Sequence, residues 1–227
     1  MQLTFSISSA GGASTLAVSI DHFVIAGWAG RDHAAIEHHI EELAAIGVPR
    51  PSAVPLFYRV AANQLTQDAT VQMAGPDSSG EVEVLLFSQA GRSYVSLTSD
   101  HTDRKLEAHS VALSKQLCAK PVAREAWPLD EVLPHWDSLR IVSSIVEDGR
   151  EVEYQNGLLD SLRDVRDLAR RHCGQEQLPE GMAMSCGTVA VIGGIRPANI
   201  FTMALVDDRL GRRLAHRYTV ECLPVVA

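Results

Sequence analysis

Gly80-Glu81-Val82-Glu83-Val84-Leu85-Leu86 is followed, past a turn at Gly91, by Tyr94-Val95-Ser96-Leu97-Thr98-Ser99-Asp100. Glu81 to Phe87 holds few breakers and reads as one strand. Tyr94–Thr98 alternates and reads as the next. Side chains on a strand alternate, so Glu81 and Glu83 share one face and Val82 takes the other. Two parallel carboxylates repel unless a proton or a cation sits between them. A third carboxylate nearby, Asp100, makes a hard all-oxygen site suited to Mg²⁺, Mn²⁺ or Ca²⁺. The same pattern recurs in Glu151-Val152-Glu153. The ordinary reading of either pair is a solvated strand face, and spacing alone does not choose between them.

Outward from this stretch, the chain reads as mainly β. Phe23–Ile25 is a short strand leading into Gly27. Asp32 to Ile46 carries Ile36, Ile40, Leu43 and Ala44 at helical spacing, with Asp32 as cap and Gly47 as stop. Leu56–Val60 is a strand after a Pro-rich loop, and Gly75–Gly80 is a turn region. Asp103 to Lys115 is partly helical. Leu139–Val146 and Glu151–Tyr154 flank Asp148-Gly149, the strongest short-range hairpin signal in the chain. Asp160 to His172 reads as an amphipathic helix, and strands return from Met182 onward. Strands outnumber helices without alternating with them. The expected fold is therefore α+β, a mainly β core with peripheral helices, and not a doubly wound sheet.

The 227 residues carry Lys+Arg 20 and Asp+Glu 28, a net charge of −8. An acidic chain without a basic cluster is a poor partner for nucleic acid or for an anionic membrane. Apolar residues make up 46 % and charged residues 21 %, which fits a globular protein rather than a disordered one. No apolar run has the length of a membrane span. Cys118, Cys173, Cys186 and Cys222 form no CxxC pair, so free thiols in a reducing cytoplasm are expected. There is no G-x-S-x-G elbow, Walker loop or H-E-x-x-H.

The segment Gly80–Leu86, with Ser99-Asp100-His101-Thr102-Asp103-Arg104 after it, resembles the fumarylacetoacetate hydrolase superfamily. There an E-x-E strand precedes N-D-x-[ST]-x-R-D-x-Q. Ala112-Leu113-Ser114-Lys115 resembles the lysine segment of that superfamily. Val146–Arg150 through Gln155-Asn156 resembles its V-N-G-E…Q…N hairpin. Leu178-Pro179-Glu180-Gly181 and Cys186-Gly187-Thr188 resemble L-x-P-G-D…T-G-T-P. The motifs keep the order of the superfamily over roughly residues 24–190. Ser99, Met182 and Val189 depart from it, standing where it has Asn, Asp and Pro, as in a divergent branch.

The resemblance implies a mixed β-sandwich roll. Residues 1–60 would form a small N-terminal α/β portion and residues 61–227 a β-rich core, or the two one continuous domain. It implies Glu81, Glu83 and Asp100 as ligands of Mg²⁺, or of Mn²⁺ or Ca²⁺. It implies a His–Glu pair activating water on the Asp32–Ile46 helix. His39 with Glu42 is preferred for its H-x-x-E spacing, and His33 with Glu37 is the alternative. Either spacing puts both groups on one helix face. Lys115 would hold a substrate carboxylate or developing enolate, and Arg59 and Thr188 would bind substrate. His101 and His109 flank the metal segment, while His135, His172 and His216 read as structural. The expected activity is that of a metal-dependent enzyme acting on a small 2-oxo or β-dicarbonyl acid through an enolate. Carbon–carbon hydrolysis comes first, with decarboxylation, hydration and isomerisation as alternatives. A non-catalytic protein binding a carboxylated metabolite on the same fold is the reading from another class. A homodimer is expected by resemblance.

Overall fold

In the computed structural model, residues 1–45 and 50–226 are described, apart from the side chains of His39, Glu42 and Leu43. The chain opens with β1 (Gln2–Ser9), β2 (Gly12–Ser19) and β3 (His22–Gly27), then α1 (His33–Ala45) and β4 (Leu56–Val60). Strand β5 (Thr70–Ala74) precedes the hairpin of β6 (Val82–Gln89) and β7 (Arg92–Ser99). Two short helices, α2 (Arg104–Glu107) and α3 (Val111–Leu117), lead to β8 (Glu125–Pro128) and α4 (Leu129–Val132). The hairpin of β9 (Arg140–Glu147) and β10 (Arg150–Leu158) comes next, then α5 (Val165–Cys173). The chain finishes with β11 (Met182–Ser185), β12 (Ile200–Asp207) and β13 (Arg212–Leu223).

The strands build an eight-stranded sheet in the order β2-β1-β8-β7-β6-β11-β3-β4 and a five-stranded sheet in the order β10-β9-β12-β13-β5. This is the mainly β, α+β architecture expected. Strands from residues 1–60 sit at both ends of the larger sheet, on either side of the strands from residues 82–185. Asp148 and Gly149 have φ of 50° and 74°, the left-handed pair that a two-residue DG hairpin turn requires.

Strand β6 organises both cores. Val82, Val84 and Leu86 face the smaller sheet and pack in the cluster containing Ile141, Tyr154, Phe201, Met203 and Leu205. On the opposite face, Leu85 and Phe87 join Leu3, Phe5, Ile7, Phe23, Ile25 and Val60. The Phe5 and Phe87 rings stack at 4.5 Å, although β8 and β7 lie between their strands in the sheet. The sheet therefore rolls over on itself, as right-handed twist accumulated over many strands allows. Glu83 sits two residues before Leu85 and so opens onto this rolled interior.

Asp32 caps α1, its Oδ1 accepting from the Ala34 and Ala35 amides at 2.9 and 3.1 Å. Residues 46–49, including the expected stop at Gly47, lie outside the described residues. The helix expected from Asp160 begins instead at Val165, capped by Asp164 through the Arg166 amide at 2.8 Å. Leu159–Ser161 form a separate 3-10 turn that buries Leu159. Leu162 follows with extended backbone, buried. The β1–β2 hairpin is an addition to the elements expected from the sequence. Its signal was the alternation of buried Leu3, Phe5 and Ile7 with exposed Gln2, Thr4 and Ser6.

Candidate metal centre

Hairpin register brings the three carboxylates together. Val82 pairs with Ser99 and Glu83 with Thr98. Just past the strands, the Asp100 amide donates to the Glu81 carbonyl at 2.9 Å. Glu81, Glu83 and Asp100 each offer a carboxylate oxygen within 4.8 Å of the others. Glu83 and Asp100 are buried, at 4 % and 1 % exposure. Gly80 is needed beside them, because a Cβ there would stand 2.6 Å from Ser99 Oγ, 2.9 Å from His101 Nε2 and 2.9 Å from Tyr218 Oη.

Each carboxylate is held differently. Glu83 Oε2 accepts from Ser185 Oγ at 2.5 Å and from the Gly187 amide at 2.9 Å. Burial, and then the charge of Asp100, push the Glu83 carboxyl up to about 8, against the pull of Ser185 and Lys115. Asp100 goes the other way. Burial alone would raise it, but the ammonium groups of Lys115 and Lys120 bring it well below the usual carboxylate range. Lys115 bonds to Asp100 Oδ2, and Lys120 lies 2.9 Å from Oδ1. Glu81 is paired with Arg104 at 3.3 Å, and Arg104 also reaches Glu107 at 3.0 Å and Ser79 Oγ at 2.6 Å. The cluster is all oxygen, crowded and partly protonated without a cation. That donor set fits a hard divalent ion.

Lys115 stands at the end of α3, which is capped by Ser110 through the Leu113 amide. Its Nζ lies 5.8 Å from the Tyr58 ring centroid. Lys120 was not read from the sequence, where a lysine without pattern reads as solvated. It is fully buried because Lys120–Pro121 pairs with Leu65–Thr66. Thr188 donates to the Val82 carbonyl at 2.6 Å and accepts from Gln155 at 2.7 Å. Its hydroxyl thus ties the carboxylate strand to the β9–β10 hairpin. Gln155 completes this joint, accepting from the Val82 amide and Ser143 Oγ, both at 2.9 Å.

Arg59, expected to bind substrate, is exposed and bonds to His22 Nδ1 at 2.8 Å. Strand alternation gives the Lys115 side of β4 to Tyr58 and turns Arg59 away from it. On α1, the side chains of His39 and Glu42 lie outside the described residues. His33 is exposed, and Glu37 is paired with Arg50. His101 is buried and bonded to the Tyr218 hydroxyl at 2.7 Å, and burial brings its pKa down to about 3. His109 is exposed. Glu151 and Glu153 are exposed and bonded to Ser144 and Asn156. Burial raises the Cys186 thiol far above its ordinary range, which removes its nucleophilicity. No described helix is long and apolar enough to cross a membrane.

The raised Glu83 carboxyl sets a pH dependence. Below its value of about 8 the group holds a proton that an incoming cation must displace. Apparent Mg²⁺ affinity is expected to rise about tenfold per pH unit from pH 6 and to level off near pH 8. Titration in buffers of different ionisation enthalpy should count about one proton released near pH 7. A flat profile across that range would mean that Glu83 is already ionised below pH 6.

A family model described as "protein of unknown function (DUF2848)" matches residues 26–218. No curated protein matches the chain. Among solved structures, 2-keto-3-deoxy-D-arabinonate dehydratase complexed with magnesium and 2,5-dioxopentanoate is similar at TM-score 0.64 and 14 % identity. That match covers 91 % of this chain and 75 % of the other. The 4-oxalocrotonate decarboxylase from Pseudomonas putida G7, complexed with calcium and acetate, is similar at TM-score 0.53 and 16 % identity. It covers 87 % of this chain and 76 % of that one. At these identities the likeness establishes the fold, the one expected from the fumarylacetoacetate hydrolase resemblance.

Proposed function

We propose a function for a chain that belongs to the DUF2848 family. It is a divalent-metal-dependent enzyme that cleaves a small 2-oxo or β-dicarbonyl carboxylic acid through an enolate. The observation that carries this reading is the convergence of Glu81, Glu83 and Asp100 with the Lys115 ammonium at one end of the rolled sheet. The fold shared with a magnesium-complexed dehydratase and a calcium-complexed decarboxylase supports it.

Glu81, Glu83 and Asp100 would hold Mg²⁺. When bound, the ion supplies Lewis acidity that draws electron density from the 2-oxo oxygen and neutralises the developing enolate. Ser185 and Gly187 fix one oxygen of Glu83, leaving Oε1 free to ligate. Lys115 presents a buried positive charge that would receive the substrate carboxylate or the enolate oxygen. The Tyr58 ring stands against that ammonium.

In decarboxylation the bond to the departing carboxylate breaks, its electron pair enters the enolate, and a proton later returns to carbon. That sequence needs no activated water. Hydrolysis needs a general base, and on this reading α1 would supply it through His39 with Glu42. The lyase reaction is favoured because a dehydratase and a decarboxylase share this fold.

A coupled assay separates the two. Purified protein with Mg²⁺ is followed by NMR on oxaloacetate, which reports decarboxylation, and on acetylpyruvate, which reports carbon–carbon hydrolysis. The expected result is Mg²⁺-dependent pyruvate formation from oxaloacetate, at least tenfold above free Mg²⁺, in both wild type and His39→Ala. Mg²⁺-dependent hydrolysis of acetylpyruvate by wild type that His39→Ala loses, without decarboxylation of oxaloacetate by either, would put hydrolytic base chemistry first. No turnover of either acid, with metal and oxalate still bound, would favour the non-catalytic binding protein.

A further inference from the structure

Asp100 carries two ammonium groups, and their surroundings differ. Lys115 lies in the last turn of a seven-residue helix, and Asp100, Glu81 and Glu83 together hold its charge against burial. Thr102 Oγ1 lies 3.4 Å away and the Tyr58 ring 5.8 Å away. This lysine looks into the cluster. Lys120 has its pKa pulled down by burial and by the charge of Lys115, with Asp100 opposing both, and it bonds to the His101 carbonyl. It is fully buried, and its backbone is pinned twice. Lys120–Pro121 pairs with Leu65–Thr66, and the Pro121 carbonyl accepts from Thr98 Oγ1 at 3.0 Å. Thr98 is itself the register partner of Glu83.

From this asymmetry we infer that Lys120 is a positioning residue that fixes the Asp100 carboxylate from behind, and that Lys115 is the cation released when the site fills. The inference rests on the metal reading of the cluster. Lys120 stands 2.9 Å from Oδ1 as an ion pair, on a segment whose backbone is paired with Leu65–Thr66. Lys115 holds Oδ2 and also reaches Thr102 and the Tyr58 ring. A divalent ion and Lys115 therefore compete for the Asp100 carboxylate, while Lys120 keeps Asp100 in place and partly neutralised. Lys115, once displaced, faces the substrate carboxylate. Two lysines on one carboxylate thus have opposite effects on metal affinity.

The test uses that difference in sign. Mg²⁺ is titrated calorimetrically into wild type, Lys115→Met, Lys120→Met and Lys120→Gln, with thermal melts confirming the fold. Lys115→Met is expected to bind Mg²⁺ more tightly than wild type, because the competitor is gone. Lys120→Met is expected to bind about 10–100-fold more weakly, as when a partner that orients a ligand is lost. Lys120→Gln keeps a donor for Oδ1 and is expected to recover most of that loss. A mere counter-charge would give the opposite: both Lys120 variants would tighten Mg²⁺. That result overturns the inference, as does an unchanged Lys120→Met. If Lys120→Met does not fold, Lys120→Gln decides, and an affinity above wild type is the contradicting result. Absence of Mg²⁺ binding by wild type overturns the metal reading and this inference with it. Failure confined to the variants overturns this inference alone.

Discussion

Glu83→Ala is expected to lower Mg²⁺ affinity by about 100-fold or more, a loss of roughly 3 kcal/mol. The variant removes one of three clustered carboxylates, the one fixed most tightly by neutral donors, Ser185 Oγ and the Gly187 amide. The metal-free protein should respond differently. Glu83 lies in the rolled interior with its carboxyl raised to about 8 from an ordinary 4.5. A carboxyl whose folded value lies above its unfolded one contributes stability that is complete below the unfolded value. That contribution is lost as pH rises through the folded one. Metal-free stability should therefore fall between about pH 5 and pH 8, and Glu83→Gln should flatten the decline. Saturating Mg²⁺ should restore wild type, raising stability by about 2.7 kcal/mol at a hundredfold excess over Kd, and leave Glu83→Gln unmoved. Melts at pH 5, 6.5 and 8, with and without Mg²⁺, read both halves. A variant that still gains stability from Mg²⁺ would place the ion elsewhere.

Phe87→Ala is expected to cost about 3–5 kcal/mol, the range for truncating a buried aromatic to alanine. Phe87 is fully buried, stacked on Phe5 at 4.5 Å and on Tyr94 at 5.6 Å. It locks the roll where strands distant in the sheet meet. A small domain has only about 5–15 kcal/mol in total, so the loss is a large share of it. Glu83 and Phe87 lie on the same face of β6, so the variant should also loosen the floor of the carboxylate cluster. Urea denaturation measures the first effect. A cost below about 1 kcal/mol would mean that the rings are not packed as described.

Much of the larger sheet could be read from one stretch. The β6–β7 hairpin follows from the breaker-free Glu81–Phe87, the Gly91 turn and the alternation of Tyr94–Thr98. The β9–β10 hairpin follows from Asp148-Gly149. Once β6 and β7 pair, register alone brings Asp100 beside Glu81, so the carboxylate cluster could be read from local pattern. The choice between the two Glu-Val-Glu pairs could not. It depends on burial, and burial depends on what packs over the strand. Lys120 escaped for the same reason. Nothing in Cys118-Ala119-Lys120-Pro121 signals that residues 65–66 will pair with it from far away in sequence. Arg59 and Tyr58 show how a one-residue shift in a strand exchanges faces. The pleat sets Tyr58, and not Arg59, against the Lys115 ammonium. Thr188 was expected to meet substrate, but its hydroxyl is engaged by Val82 and Gln155 across 106 and 33 residues of sequence.

The central claim is that Glu81, Glu83 and Asp100 form a divalent-metal site that receives a 2-oxo acid. Calorimetric titration of Mg²⁺, with and without the enolate mimic oxalate, on wild type and Glu83→Ala tests it most directly. The account predicts that wild type binds Mg²⁺, that oxalate tightens that binding, and that Glu83→Ala loses both responses. Wild type binding neither Mg²⁺ nor oxalate, or Glu83→Ala binding both as wild type does, would contradict it.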